Sequence, residues 1–240
     1  MSSFSSEKDT NFCFPIPDVL ENEKVKLVPF IPSQHAKALV DGFDDNTWNY
    51  LSYGPFSSTE QFVEGFWDQG LRANPAATTF TIFDKVGPLT LDGQPVIAGM
   101  VSYINSSDKD ACTEIGFVVI LPQFQRTHVT SCMVGLLMHY ALDLPEDGGL
   151  GVRRLQWVCN SNNAPSQKVA ERMGFRFEGI FRWARVLPPS KAIGFKEGPM
   201  RKGDPWAGNG GRDSTYLSCC WDDWEGGARE KVDKVMTRTK

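Results

Sequence analysis

Residues 113–131, TEIGFVVILPQFQRTHVTS, constrain the fold of this chain more than any other stretch. An apolar run ends at Pro122, and a polar loop of Gln125, Arg126, Thr127 and His128 follows. A strongly apolar pattern of helical period then covers about 129–142, and a further strand pattern covers 153–159. A strand, a helix and a second strand in that order call for a parallel pair. The preceding connections are short. The turn Leu91-Asp92-Gly93-Gln94 separates strand patterns at 78–84 and 96–105, and a polar turn at 106–110 leads into 112–121. Short turns call for antiparallel neighbours. Both demands are met by an α/β chain with a mixed, mostly antiparallel sheet and helices on both faces.

The remaining pieces fit this frame. A short β-type run at 25–28 ends at Pro29. Ala36, Leu39, Val40 and Phe43 recur at helical spacing after Ser33. Ser58 or Thr59 caps a second helix with Phe62, Val63, Phe66 and Trp67 on its apolar side. A helix at 164–173, strands at 175–186 and 215–220 and a closing amphipathic helix at 222–236 complete the reading. Phe12, Phe14 and Ile16 belong to an extended segment lying on the body. The expected divisions are a flexible arm at 1–23, a main domain at 24–226 and a C-terminal helix or tail at 227–240. The Pro-, Gly- and Lys-rich stretch 187–212 is too long for a plain connection, and reads as a lid or an excursion.

Composition narrows the function. Lys and Arg number 25 against 29 Asp and Glu, a net charge of -4, which argues against a non-specific nucleic-acid binder. No apolar stretch approaches the roughly 18 to 20 residues that cross a bilayer, and MSSFSSEKDT has no basic region followed by an apolar core. The expectation is a cytoplasmic protein with no membrane partner. None of the six cysteines forms a CxxC pair and no His stands at ligand spacing, so no metal is expected. Cys219 and Cys220, as strand neighbours, point to opposite faces.

A loop followed by a helix N-terminus offers free N–H groups and a partial positive charge, which suit a phosphate; plain N-capping is the other reading of the same residues. Four segments together resemble the GNAT superfamily of acyl-CoA-dependent N-acyltransferases, and within it the RimJ/RimL-type branch. They are KLVPFIPSQHAKAL, EIGFVVILPQFQRTHVT, CNSNNAPSQKVAERMGFRFEGIFR and RDSTYLSCCWDDW, spread over about 24–226. The resemblance implies a GNAT fold in which the family's fourth and fifth strands, here 112–121 and 153–159, splay apart. It implies that the backbone of Val119 and Ile120 meets the pantetheine arm of acetyl-CoA. The loop and helix start, Gln125, Arg126, Thr127, His128, Val129, Thr130 and Ser131, then hold the pyrophosphate. Asn163 contacts pantetheine, and Ser166 lies near the sulfur as an acid. The family's loop commonly reads Gln/Arg-x-x-Gly-x-Gly/Ala, whereas this chain has Gln125, His128 and Thr130 with no glycine. The tyrosine many members place four residues after Ser166 is Ala170 here.

An amine must lose a proton to attack a thioester, and Glu114, at the start of the splayed strand, is the candidate base. The other reading of Glu114 is a solvated strand-end carboxylate, and of Asn163 and Ser166 a helix cap. His128 reads as a loop residue rather than a base. The implied partners are acetyl-CoA and a primary amine of a small molecule or a peptide N-terminus, with the chain a monomer or homodimer. The alternatives are a CoA-binding module without catalysis and a GNAT fold turned to other acyl chemistry.

Overall fold

A computed structural model describes residues 8–9, 11–189, 191 and 201–238. Eight strands form one sheet in the order β1-β2-β3-β4-β5-β6-β8-β7. They are β1 Leu20–Glu21, β2 Val25–Pro29, β3 Thr78–Leu89, β4 Pro95–Ser107, β5 Cys112–Ile120, β6 Arg154–Asn160, β7 Arg176–Leu187 and β8 Gly210–Cys220. Every pair is antiparallel except β5 with β6. That exception is the pair the strand–helix–strand order demands. Its crossover is α3, His128–Leu142.

Helices cover both faces. On one, α3 is buried almost all round: Cys132, Met133, Val134 and Leu137 pack with Val101, Tyr103, Ile115, Leu155 and Trp157. The Tyr103 hydroxyl donates to the Leu137 carbonyl inside this core. On the other face, α1 (Pro32–Gly42) and α2 (Thr59–Gln61, continuing in wider π-type turns over Phe62–Leu71) pack around Met100 and Val119. Here rings meet edge to face, among them Phe30 with Trp67 at 4.9 Å and Trp48 with Phe56 at 4.9 Å. Such pairs add about 0.5–1.5 kcal/mol each beyond the area they bury. Ser58 is the cap of α2, its side chain accepting from the Gln61 N–H.

The feature that shapes the molecule's centre is a bulge in β5. Met100 pairs with Val119 and Ser102 with Gly116, so β5 carries one residue more than β4 across this interval. Phe117 takes up the excess with a left-handed backbone, φ 46°. A bulge of this kind bends its strand and locally ends pairing. The ladder between β5 and β6 accordingly runs from Cys112↔Arg154 to Ile115↔Trp157 and stops. β6 continues to Asn160 against β8. Gly99, opposite Ile120, tolerates no side chain: a Cβ there would lie 2.1 Å from the Val119 carbonyl oxygen.

Several boundaries differ from those read in the sequence. Phe12, Phe14, Ile16 and Leu20 pack against the core, so the segment expected as an arm over 1–23 belongs to the body from Phe12 onward. β8 begins at Gly210 and β7 ends at Leu187, which shortens the connection expected at 187–212 to 188–209. Of that connection, 190 and 192–200 lie outside the described residues, as do 1–7 of the arm. The closing helix is broken into α5 (Trp221–Asp223), wide turns over Trp224–Ala228 and α6 (Arg229–Thr237). Gly227, at φ 115°, interrupts it where the helical periodicity alone gave no signal. Among the described residues no helix is long and apolar enough to cross a membrane.

Candidate active site

Glu114 lies where β5 and β6 still pair, two residues before Gly116 and the bulge. It is not a solvated strand-end group: it is 6% exposed, and Asn105 Nδ2 donates to its Oε2 at 2.8 Å. Burial pushes its carboxyl up to about 7, opposed by the Asn105 hydrogen bond and by the charges of Arg185 and Arg212. A carboxyl poised near neutrality accepts a proton and releases it again at physiological pH. Asn105 sits opposite in the β4–β5 hairpin with a left-handed backbone, φ 50°. The hairpin register, rather than any local motif, brings it to Glu114.

The start of α4, Ala164–Arg172, carries the helix cap that was the other reading of Asn163. Asn163 Oδ1 accepts from the Ser166 N–H at 3.1 Å. The Ser166 hydroxyl oxygen accepts from Trp157 Nε1 at 3.0 Å, which leaves its proton to donate, with the Cys159 sulfur as the side-chain neighbour it meets. Trp157 is the last β6 residue paired with β5, so the indole ties Ser166 to the point of divergence. Burial raises the neighbouring Cys159 thiol, which leaves it a protonated thiol rather than a nucleophilic thiolate at neutral pH.

The loop between β5 and α3 is closely determined. Gln125 Nε2 donates to the Ile120 carbonyl at 3.1 Å. Arg126 is left-handed at φ 60°, the one such residue in the loop. Thr127 is the N-cap of α3: its hydroxyl donates to the Phe124 carbonyl at 2.6 Å and accepts from the Val129 N–H at 3.3 Å. Thr127 is therefore not a free donor. His128 and Thr130 stand in the first helical turn, where no positive φ is required, and this removes the conformational need for glycine there. The His128 ring turns to Asp84, with Nε2 2.9 Å from Oδ1. Val129 is fully buried, and Ser131 accepts from the guanidinium of Arg172 at 3.2 Å. Arg172 thus brings a cation to the start of α3. Val119 and Ile120 pair with β4 on one side, and beyond Ile115 no strand among the described residues pairs with their other edge.

At the bulge stands an aromatic wall. Phe117 meets Phe66 at 5.1 Å and Tyr53 at 5.5 Å. Lys191, in the connection between β7 and β8, is buried. Its Nζ donates to the carbonyls of Trp48 and Tyr53. Burial lowers its ammonium below the usual range.

Other titratable groups are structural. The His35 imidazole is pushed down to about 4 by burial and accepts from the Ile31 N–H. His139 bridges Asp143 and Asp233 at 2.7 and 2.9 Å. The Cys219 thiol is pushed up to about 12 by burial. Ligand atoms of Cys220, Asp222 and Asp223 lie within 4.8 Å of one another, but Asp223 is taken up by the Cys220 N–H and by Arg176.

The bulge, the one-sided edge beyond it and the capped helix after it are the frame; the sequence matches a known one. The model of the acetyltransferase (GNAT) domain family matches residues 24–176, more than half of the chain. The chain belongs to the GNAT acetyltransferase family. It is an acyltransferase with the fold of that family. Among solved structures, this acetyltransferase is similar to a probable GNAT-family acetyltransferase from Chromobacterium violaceum, at 26% identity and TM-score 0.68, covering 92% of each chain. It is also similar to a GCN5-related N-acetyltransferase from Brucella melitensis, at 25% identity and TM-score 0.71, covering 93% of this chain and 88% of the other. An acetyltransferase from Salmonella typhimurium that modifies the N-terminal serine of ribosomal protein L7/L12 shares the fold at 20% identity and TM-score 0.59, over 84% of this chain and 98% of that one. No curated protein matches the sequence.

Proposed function

We propose that this acetyltransferase transfers an acetyl group from acetyl-CoA directly to a primary amine, with Glu114 as the base. The observation that carries the reading is Glu114 itself: a buried carboxyl near neutrality at the last paired step before the strands part. Acetyl-CoA supplies the activated acyl carbon and a thiolate leaving group. The free edge of β5 at Val119 and Ile120 suits the pantetheine arm, although the Ile120 carbonyl already takes the Gln125 amide. The α3 N-terminus, from Gln125 and Arg126 through Thr127, His128, Val129, Thr130 and Ser131, suits the pyrophosphate. Arg126 and Arg172 bring positive charge to it, and Asn163 and Ser166 flank the cleft from α4.

Glu114 takes the proton the amine loses, directly or through one water, and returns it to solvent. The Ser166 hydroxyl, its oxygen held by Trp157, gives its proton to the departing sulfur and regains one from water. Burial raises the Cys159 thiol and so weakens it as a nucleophile, which favours transfer within a ternary complex over a two-step route. The fold relationship to an enzyme acting on a ribosomal-protein N-terminus motivates peptides among the acceptors tried. Thiol release from acetyl-CoA across small amines and peptides, with mass spectrometry of the products, tests the proposal. A product 42 Da heavier than its amine, a mass fixed by replacing one hydrogen with an acetyl group, is expected at about one per thiol released. Tight acetyl-CoA binding without thiol release would mark a binding module instead.

A further inference from the structure

Among the described residues, five buried side-chain polar atoms lack a hydrogen-bond partner: Trp48 Nε1, Trp67 Nε1, Asn160 Nδ2, Arg212 Nε and Thr215 Oγ1. Three of these fall at one place, the end of β6 and the start of β8. Buried polar groups are nearly always satisfied, so a cluster of unsatisfied ones calls for an explanation. Asn160 pairs with Ser214, and Arg212 lies two residues further along β8. Side chains two apart on a strand share a face, so Asn160 and Arg212 are diagonal neighbours on one surface. Thr215, one residue out of step, belongs to the other. By the same alternation, Gln156 shares the Asn160 face and pairs with Glu114. The two unsatisfied N–H donors therefore stand on the base's side of the sheet.

Arg212 is 9% exposed and Asn160 2%. The buried Nε of Arg212 has no acceptor among the described residues. Arg185 is its register partner on β7, so two like charges stand side by side. Burial and Arg185 both work against the Arg212 charge, while Glu114 and Tyr216 favour it. Glu114 acts on Arg212 only through space, and a cation buried beside another cation with no anion in hydrogen-bond contact is unfavourable unless one arrives. Asn160 Oδ1 is occupied, accepting from the Asn162 N–H at 2.9 Å, which fixes Nδ2 as the outward donor.

We infer that Arg212, Asn160 and Arg185 form a carboxylate subsite in the acceptor cleft, and that the acceptor is an amine carrying a carboxylate close to the reacting nitrogen. The inference rests on the acetyl-transfer reading above. A carboxylate presents two acceptor oxygens in one plane, and a guanidinium and an amide N–H donate to them from adjacent positions. Held there, it places the neighbouring amine toward Glu114 and neutralises the arginine pair. The carboxylate has two sources, the α-carboxylate of a free amino acid or an acidic residue beside a peptide N-terminus.

The test compares acceptor pairs that differ only in this charge. One pair is an amino acid and its α-carboxamide. The other is a peptide with Asp at its second position and the same peptide with Asn. In the wild type, kcat/KM is expected to favour the carboxylate member of one pair by about 10- to 100-fold, and that pair identifies the source. Arg212→Gln is expected to reduce the preference to within about threefold, and Arg185→Gln to weaken it less. The second variant keeps the test alive if the first fails to fold. No preference in either pair, or a preference that survives both variants, overturns the subsite while leaving acetyl transfer standing. If no amine is acetylated, the transfer reading fails by itself. Calorimetric titration with N-acetylglycine and N-acetylglycinamide then decides the subsite: tighter binding of the carboxylate, lost in Arg212→Gln, supports it, and equal or absent binding overturns it.

Discussion

The two sides of the proposed site are built by different means. The side formed by β5, its loop and α3 relies on backbone: a strand edge, a left-handed Arg126 and a capped helix start. The side formed by Glu114, Asn105, Arg212 and the aromatic wall relies on side chains drawn from distant parts of the sequence. Backbone construction tolerates sequence change, which is how a loop without glycine keeps the helix start in place. Side-chain construction does not, because each group depends on register and burial elsewhere. In the proposed reading, the first side takes the co-substrate and the second the acceptor.

The largest effect that would separate the two sides comes from Glu114→Gln. It keeps the shape and much of the hydrogen bonding but cannot accept a proton. Steady-state kinetics near neutral pH should show kcat lower by at least about tenfold, within the 10² to 10⁴ typical of a general base, with acetyl-CoA affinity little changed. Retention of more than about half the rate would make the carboxylate a bystander.

Thr130→Glu attacks the other side. A ligand that binds only the folded state at a hundredfold excess over Kd stabilises it by about 2.7 kcal/mol. Acetyl-CoA should raise the melting temperature of the wild type and fail to do so in this variant, where a carboxylate faces the pyrophosphate. An undiminished shift would break the assignment of the helix start.

Lys191→Met should give the smallest change. It keeps the aliphatic stem but removes the two hydrogen bonds to the Trp48 and Tyr53 carbonyls, loosening the aromatic wall. The acceptor KM should rise about three- to tenfold, in line with one to two net hydrogen bonds, with acetyl-CoA affinity within about twofold. Equal loss of both would mean that the clamp supports the whole fold.

Legibility in the sequence follows the same division. The parallel pair, its crossover helix and the capped loop were readable because apolar period and turn chemistry are local signals. The bulge at Phe117 was not, since nothing in EIGFVVI marks which residue will be left unpaired. Asn105 escaped notice because it meets Glu114 only through a hairpin register. The indole of Trp157, read as one residue of an apolar strand, gave no hint of its bond to Ser166. Arg212 lay inside a stretch read as loop, and its place in β8 appears only once Gly210 to Thr215 pair with β7 and β6. The glycine-free loop departs from the family pattern, and the helix start at His128 shows that the backbone there needs no glycine for its conformation.

The central claim is that Glu114 is a base poised near neutrality, and the pH profile of kcat/KM tests it most directly. Its raised carboxyl is protonated and inactive below about 7 and ionised above. Activity should therefore rise with pH and bend near 7, losing one unit of slope in a logarithmic plot, well before an acceptor amine of pKa about 8 to 10 titrates. In Glu114→Gln the same plot should run straight through that region up to the amine's own pKa. A wild-type profile with no bend near 7, or an identical bend persisting in Glu114→Gln, would contradict the account.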